Sequence, residues 1–130
     1  MNELVEAARD ALENAYAPYS NYTVGAALRT ADGSVFTGCN VENSNYSNSL
    51  HAEEVALGEA VKRGHREFEA IAVTSGERDG VTPCGMCRQT LAEFCAEDFV
   101  VYTDHGDAVR EHVLGTLLPE PMSGDRLEDG

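Results

Sequence analysis

Apolar side chains recur at changing intervals along the chain, and each interval predicts a different element. Residues 3 to 15 carry them three or four positions apart, which predicts an amphipathic helix. Residues 22 to 40 carry them at alternate positions on both sides of an Ala-Asp-Gly-Ser turn signal, which predicts a β-hairpin. Residues 49 to 63 contain good helix formers and are followed by Gly64, so a second helix is expected to end there.

The second half of the chain continues the alternation of strands and helices. Short apolar runs around Ile71 and over residues 99 to 102 predict two further strands. Pro83 can occupy the first turn of a helix that runs to about Cys95, and a weaker helical pattern covers residues 108 to 118. This order predicts a three-layer α/β/α fold, whose mixed sheet carries the antiparallel N-terminal hairpin at one side.

Length and composition favour a single packed domain over residues 1–130, in which the polar segment 119–130 is expected to be extended or mobile. With 42% hydrophobic and 25% charged residues, the chain is expected to form a globular core. No apolar run is long enough to cross a bilayer, and residues 1 to 10 lack the pattern of a signal peptide. The expected location is therefore the cytoplasm, without membrane association.

The charge is strongly acidic, with 23 Asp and Glu against 9 Lys and Arg, a net charge of -14. Nucleic acids are bound largely through Lys and Arg, so a nucleic-acid partner is not expected. The same balance argues against substrates that carry several phosphates. An acid excess of this kind keeps proteins soluble and is typical of a salt-rich cytoplasm.

Candidate chemistry begins with the cysteines, because Cys84 and Cys87 form a Cys-x-x-Cys pair. In a chain without a signal peptide, this spacing indicates metal or redox chemistry rather than disulfides. Two Cys at the start of a helix can face one ion, and the helix N-terminus favours their thiolate form. His51 lies upstream in the string His51-Ala52-Glu53, and imidazole with thiolates is a usual ligand set for zinc.

Three protein ligands would leave one zinc position open for a water, whose pKa the metal lowers to about 7. Glu53 would then serve as the proton carrier beside that water. Taken alone, Cys-x-x-Cys is more often a structural zinc half-site or a redox pair than part of a catalytic site. A structural site normally has four ligands, and Cys39, Cys95 and His65 stand at no recognised spacing for a fourth. The joint pattern, His-x-Glu followed by Pro-Cys-x-x-Cys, is the signature of zinc-dependent deaminases.

Several longer strings resemble the small, homotetrameric cytidine deaminases, over a region from about Ala15 to Pro119. They are Tyr16-Ala17-Pro18-Tyr19-Ser20, Val24-Gly25-Ala26-Ala27-Leu28, Gly38-Cys39-Asn40-Val41-Glu42-Asn43 and Pro83-Cys84-Gly85-Met86-Cys87-Arg88-Gln89. The resemblance implies hydrolytic deamination of cytidine and 2′-deoxycytidine, with one Zn²⁺ per chain. It also implies a homotetramer with active sites at the subunit interfaces.

The resemblance further implies roles for five substrate-binding residues. Asn40 and Glu42 would hydrogen-bond the ribose hydroxyls, and Tyr22 would pack beside the pyrimidine. The backbone of Ala52 would meet the base carbonyl, and the backbone of Thr82 the leaving amino group. From the residues alone, Asn40 and Glu42 are equally typical of a strand end followed by a turn. Tyr22 alone is typical of a residue in the core of a strand.

Two positions depart from the family's pattern. Many members have Cys in place of His51 and Arg in place of Glu54. Three thiolates on Zn²⁺ leave a net charge of -1 that Arg can offset, whereas a neutral His with two thiolates leaves none. In addition, many members have a Phe shortly after Leu-Leu-Pro that reaches a neighbouring subunit's base. Here Met122 stands nearby and is expected to pack in a similar way.

Three alternative functions remain from the sequence. The first is deamination of another cytosine compound, such as the nucleoside antibiotic blasticidin S, although Asn40 and Glu42 favour an ordinary ribose. The second is editing of RNA or DNA, against which the short chain and the acidic charge argue. The third is a non-catalytic structural zinc module, which would require a closed four-ligand site. Redox exchange through Cys84 and Cys87 is disfavoured because zinc would occupy both thiols.

Overall fold

A computed structural model describes residues 2–119 of the chain. Within these described residues, five strands and four helices follow one another in the order expected of an α/β domain. The elements are α1 (Glu3–Leu12), β1 (Val24–Thr30), β2 (Val35–Cys39), a 3₁₀ turn (Tyr46–Asn48), α2 (Ala52–Lys62), β3 (Phe68–Ser75), α3 (Gly85–Phe94), β4 (Val100–Asp104), β5 (Val109–Val113) and α4 (Leu114–Leu117). No helix within residues 2–119 combines the length and the apolar character needed to cross a membrane.

The strands form one mixed sheet in the order β2-β1-β3-β4-β5. β1 pairs antiparallel with β2 and with β3, which confirms the predicted N-terminal hairpin. β3 and β4 run parallel, with α3 in the connection between them, as a parallel crossover requires. The carboxyl end of β3 and the start of α3 therefore lie at one edge of the sheet, where ligands of α/β proteins commonly bind.

Helix α1 covers one face of the sheet. Asn2 caps it, because the Asn2 Oδ1 accepts hydrogen bonds from the backbone N–H groups of Leu4 and Val5. The buried side chains on this face form a small cluster of Leu4, Val5, Ala8, Ala27, Ala70 and Ala72. Small residues predominate in this cluster, so α1 lies close to the sheet backbone. A Cβ on Gly25 would stand only 2.2 Å from the carbonyl oxygen of Ala8.

Helices α2 and α3 cover the opposite face and complete the three layers that the sequence predicted. The larger hydrophobic cluster lies here and consists of Ala26, Leu28, Ala52, Ala56, Leu57, Ala60, Ile71, Leu91, Phe99, Val101 and Leu114. The first turn of α2 approaches β2 closely at Gly38. A Cβ on Gly38 would stand 2.3 Å from the carbonyl oxygen of Ala52 and 2.6 Å from the backbone nitrogen of Ala56. Gly38 thus sets the position of the N-terminus of α2, which carries His51.

The helix predicted over residues 108 to 118 is wrong in its first half. Val109–Val113 is the edge strand β5, which pairs antiparallel with β4, and only Leu114–Leu117 is helical. Without β5, the backbone N–H and C=O groups on the outer edge of β4 would have no strand partner. The hydrogen bonds that β5 makes with them stabilise the strand more than the weak local helix propensity stabilises a helix. The turn that connects β4 to β5 contains Gly106 at a φ of 83°. Glycine at this position is typical of a turn, but the helical pattern over residues 108 to 118 favours a helix instead.

An ion pair joins α1 to the end of β4. The guanidinium of Arg9 donates two hydrogen bonds to the Asp104 carboxylate, at 2.6 and 2.7 Å. Asp104 is buried and also accepts bonds from the Thr74 hydroxyl and the Gly106 backbone N–H. These contacts lower the pKa of Asp104 to about 2, with the Arg9 hydrogen bond as the largest cause. The carboxylate therefore ties three elements together while it stays charged.

Candidate active site

Three predicted metal ligands meet where the N-termini of α2 and α3 converge. His51 immediately precedes α2, Cys84 caps α3, and Cys87 lies in the first turn of α3. The His51 Nδ1 lies 3.3 Å from the Cys84 Sγ and 3.4 Å from the Cys87 Sγ. A tetrahedral zinc with ordinary Zn–N and Zn–S bond lengths would place such atoms about 3.5 Å apart. The three side chains are therefore positioned to bind zinc.

Cys87 lies in surroundings that by themselves disfavour its thiolate form. Cys87 is fully buried, and burial raises the pKa of its thiol, with Glu53 and Cys84 acting in the same direction. A buried thiol beside a carboxylate favours its neutral form, whereas a metal ligand must be a thiolate. A divalent cation held by His51, Cys84 and Cys87 would reverse that preference, because it would stabilise the thiolate directly.

Within residues 2–119, the group of metal-binding side chains consists of His51, Cys84 and Cys87 alone. Cys39 and Cys95, which were weighed as a fourth ligand, do not join them, and neither does His65. Burial raises the pKa of the Cys95 thiol to about 12, as expected for a cysteine that packs against the core. Residues 2–119 thus supply three ligands, which is the number typical of a zinc site that keeps its fourth position open for water. A structural zinc site normally has four protein ligands.

Glu53 lies beside the metal ligands, in the first turn of α2. Its side chain is only 5% exposed, and burial raises the pKa of its carboxyl. It also interacts with Cys87. A carboxyl whose pKa is raised can hold a proton and release it at neighbouring atoms, which is what a general acid and base must do.

A cavity of 450 Å³ opens in front of these residues. His51, Glu53 and Cys84 are among the residues that line it. The structure brings all five residues that were predicted to bind substrate to the same cavity, namely Tyr22, Asn40, Glu42, Ala52 and Thr82. They come from the segment before β1, the segment after β2, the start of α2 and the loop before α3, so the cavity depends on the whole fold.

Asn40 and Glu42 are held by neighbouring backbone. The Asn40 side chain accepts a hydrogen bond from the Val24 N–H at 2.9 Å and donates one to the Tyr22 carbonyl at 2.8 Å. The Glu42 Oε1 accepts from the backbone N–H groups of Tyr19 and Ser20, at 3.0 Å each. The Ser20 hydroxyl donates to the other oxygen and is the largest cause of a lowered pKa at Glu42. Both side chains therefore have fixed orientations.

Glu54 has a structural contact that the sequence did not reveal. Its Oε1 accepts a hydrogen bond from the backbone N–H of His51 at 2.8 Å. This is the reciprocal half of a capping box, in which the third residue of a helix bonds back to the cap residue. The sequence contained the signal, an acid three positions after the cap, but His51 is not a usual cap residue.

Arg88 is a second residue whose role the sequence did not reveal. Its guanidinium donates to the carbonyl oxygens of Pro83 and Leu117, at 2.7 Å each, and to the Thr82 hydroxyl at 2.9 Å. It therefore holds the loop that carries Thr82 and Cys84 against α4. No local sequence pattern identifies a contact between residues 29 positions apart. Met122, which was expected to stack on the base, lies outside residues 2–119.

Comparison with known proteins agrees with this geometry. Residues 1–103 match the family described as the cytidine and deoxycytidylate deaminase zinc-binding region. A cytidine deaminase of Sporosarcina psychrophila is 43% identical over 129 residues, which cover 98% of this chain and 94% of that protein. The blasticidin-S deaminase of Bacillus cereus is 32% identical over 125 residues, 90% of this chain and 88% of that protein.

Solved structures give the same result. The crystal structure of cytidine deaminase from Burkholderia pseudomallei superposes with a TM-score of 0.88 at 46% identity, covering 94% of this chain and 100% of that one. With a matching zinc-binding region and relatives of more than 40% identity, the chain belongs to the cytidine and deoxycytidylate deaminase family.

Proposed function

We propose that the protein hydrolyses cytidine and 2′-deoxycytidine to uridine and 2′-deoxyuridine, with release of ammonia. The observation that carries this proposal is the position of Glu53, buried beside His51, Cys84 and Cys87 at the wall of a cavity that Asn40 and Glu42 also line. A proton carrier, a metal-binding triad and hydrogen-bonding groups suited to a sugar are thus within one cavity. This combination supports a nucleoside as substrate.

Zinc, when bound by His51, Cys84 and Cys87, would supply a Lewis acid that makes water a strong nucleophile at neutral pH. The reaction adds this water to C4 of the pyrimidine and expels the amino group as ammonia. Glu53 takes a proton from the water and delivers it to N3 of the ring. The second proton comes from the hydroxyl group added to C4, and it passes through the Glu53 carboxyl to the departing amine. The burial of Glu53 favours the protonated state that each delivery requires.

Backbone groups at the cavity wall orient the base. Ala52 is the first residue of α2, so its N–H has no acceptor within the helix and can donate to the base carbonyl. The carbonyl of Thr82 would accept a hydrogen bond from the leaving amino group, and Tyr22 would pack beside the ring. Asn40 and Glu42 would bind the ribose hydroxyls. Arg88 supports this arrangement because it fixes the loop that contains Thr82.

The charge of the ligand set explains why Glu54 is compatible with catalysis. Two thiolates and a neutral His51 balance the two charges of Zn²⁺, so no cation is needed beside the cluster. Glu54 can therefore occupy a position where many members have Arg. Glu54 instead accepts a hydrogen bond from the backbone N–H of His51 and so helps to hold this metal ligand in position.

Exposed apolar side chains near the cavity mouth support a homotetramer with sites at the subunit interfaces. Tyr46 is 73% exposed, and its ring makes an edge contact with Tyr19, which is also exposed. Leu50 lines the cavity and is nevertheless 48% exposed. Large apolar groups in such a position are usually covered by a partner. Sedimentation equilibrium should give four times the mass of 14.0 kDa, and a monomer at micromolar concentration would contradict this proposal.

The net charge of -14 supports a cytoplasmic protein from a salt-rich cell that binds no nucleic acid. Its stability should rise between low and molar salt, because salt screens the repulsion among the acidic groups. A melting temperature that stays constant over that range would count against a halophilic origin. Retention of single-stranded RNA or DNA at low salt would count against the exclusion of nucleic acids.

The substrate can be tested by measuring ammonia release from cytidine, 2′-deoxycytidine and blasticidin S side by side. The proposal predicts turnover of both ordinary nucleosides and much weaker turnover of the antibiotic. Preference for blasticidin S would replace the proposed substrate while retaining the chemistry. Absence of ammonia from all three, in protein that contains zinc, would favour a non-catalytic zinc module.

A further inference from the structure

The carboxylate of Glu42 has an uneven set of hydrogen-bond partners. Its Oε1 accepts from two backbone N–H groups, those of Tyr19 and Ser20. Its Oε2 accepts from the Ser20 hydroxyl. A carboxylate oxygen offers two lone pairs, so Oε1 is saturated and Oε2 retains one lone pair. A substrate hydroxyl that binds Glu42 without displacing protein contacts must therefore bind at Oε2.

Ser20 is placed to control that oxygen. Its Oγ donates to the Glu42 Oε2 and accepts a hydrogen bond from the backbone N–H of Tyr22 at 3.0 Å. The direction of the hydroxyl is therefore defined, since its one proton points at the carboxylate. Ser20 also lines the cavity, so this contact lies next to the space for substrate.

The backbone around Ser20 reinforces this geometry. A turn brings the N–H of Asn21 to the carbonyl of Ala17 at 3.0 Å, and Asn21 has a left-handed φ of 57°. The backbone N–H of Glu42 bonds to the carbonyl of Tyr16 at 2.8 Å. The turn is thus fixed relative to Glu42 independently of the Ser20 side chain. Removal of the hydroxyl should leave the turn in place, and it frees the Oε2 side of the carboxylate and the backbone N–H of Tyr22.

We propose that Ser20 is a positioning residue for sugar recognition, which orients the free lone pair of the Glu42 Oε2 toward a ribose hydroxyl. This inference rests on the proposed nucleoside substrate. The Ser20 hydroxyl bonds to Glu42 and to the backbone of Tyr22 rather than to the metal ligands or to Glu53, so it is expected to act on binding rather than on chemistry. Its effect should depend on the presence of the hydroxyl groups on the sugar.

The test compares Ser20→Ala with the wild-type protein on cytidine and on 2′,3′-dideoxycytidine, which lacks both hydroxyls. Loss of one hydrogen bond to a charged group typically weakens binding affinity by about tenfold. For Ser20→Ala we expect KM for cytidine to rise about tenfold, with kcat within twofold of the wild-type value. For the dideoxynucleoside, kcat/KM should be the same in both proteins. Ser20→Thr retains the hydroxyl and should restore KM for cytidine.

A matched control is Ser34→Ala, which removes another serine hydroxyl that bonds a carboxylate, that of Asp32, in the turn between β1 and β2. This variant should behave as wild type. Equal losses on both nucleosides in Ser20→Ala, or no loss on cytidine, would overturn the role of Ser20. Failure of the wild-type, zinc-loaded protein to deaminate either nucleoside would instead overturn the proposed function.

Discussion

The carboxylate of Glu54 bonds to the backbone N–H of His51, so a side chain that does not touch the metal cluster holds one of its ligands. His51 is the residue before α2 and has extended backbone angles, with φ at -88° and ψ at 150°. A helix end of this kind frays unless its N–H groups find acceptors. The bond from Glu54 therefore stabilises the helix start and the direction of the imidazole together.

Replacement of Glu54 should weaken zinc retention. Glu54→Ala removes the acceptor, which should cost about 1 kcal/mol of stability and accelerate zinc loss to a chelator. Glu54→Gln keeps an oxygen acceptor at the same position and should remain close to wild type. Glu59→Ala, which removes an acid on the same helix that pairs with Lys62 and Arg63, is the control. Equal rates of zinc loss in Glu54→Ala and in the control would refute the positioning role.

Substitution of Glu53 should separate catalysis from metal binding. Glu53→Ala removes the proton carrier, so we expect turnover to fall at least about 100-fold while the protein keeps its zinc. Cys84→Ala removes a ligand and should instead lose the zinc. Metal analysis of the two variants, together with ammonia release, checks both statements. Unchanged turnover in Glu53→Ala would remove Glu53 from the mechanism, and one zinc per chain in Cys84→Ala would show that the ligand set is wrong.

Arg88 should affect catalytic efficiency because it holds the loop that contains Thr82 and Cys84. Lys cannot reproduce three hydrogen bonds in different directions, so Arg88→Lys should lower kcat/KM for cytidine by about tenfold or more while the fold is retained. Arg66→Lys is a matched control, because the Arg66 guanidinium also bonds two carbonyl oxygens but lies outside the cavity. Steady-state kinetics and circular dichroism are the measurements. A loss of activity no larger than that of the control would argue against this role.

Stability in acid should depend on Asp104. Its pKa is lowered from 3.8 to about 2 in the folded protein, mainly by Arg9, so the charged form stabilises the fold. The contribution, about 2 kcal/mol, is complete above pH 4 and is lost as the pH falls toward 2. Unfolding by urea should show wild type and Asp104→Asn converging as the pH falls through that window. Asp10→Asn, at an exposed position of α1 next to Arg9, should show no such convergence.

Local signals in the sequence were sufficient for most of the fold. Alternation of apolar residues predicted β1 and β2, and short apolar runs predicted β3 and β4. Helical spacing predicted α1, a run of good helix formers before Gly64 predicted α2, and the position of Pro83 predicted α3. β5 was missed because its pairing with β4 is a tertiary requirement, and the local helical pattern around residues 108 to 118 pointed the other way. The fold class was nevertheless correct, since the edge strand does not alter the layers.

The sequence predicted the metal ligands and the proton carrier of the site, but not the side chains that support them. His51, Glu53, Cys84 and Cys87 follow a spacing that zinc chemistry explains, and the structure brings them together. The contacts of Ser20 and Arg88 join residues 22 and 29 positions apart, and no periodic pattern records them. Such partners become visible only after folding, because their hydrogen bonds depend on loop geometry rather than on sequence spacing.

The most direct test of the account is ammonia release from cytidine before and after removal of zinc. The purified protein should deaminate cytidine, lose that activity when a strong chelator extracts the metal, and regain it when one equivalent of Zn²⁺ per chain is restored. Circular dichroism should show the fold preserved throughout. Deamination that persists in verified metal-free protein, or absence of deamination from protein that contains one zinc per chain, would contradict the central claim.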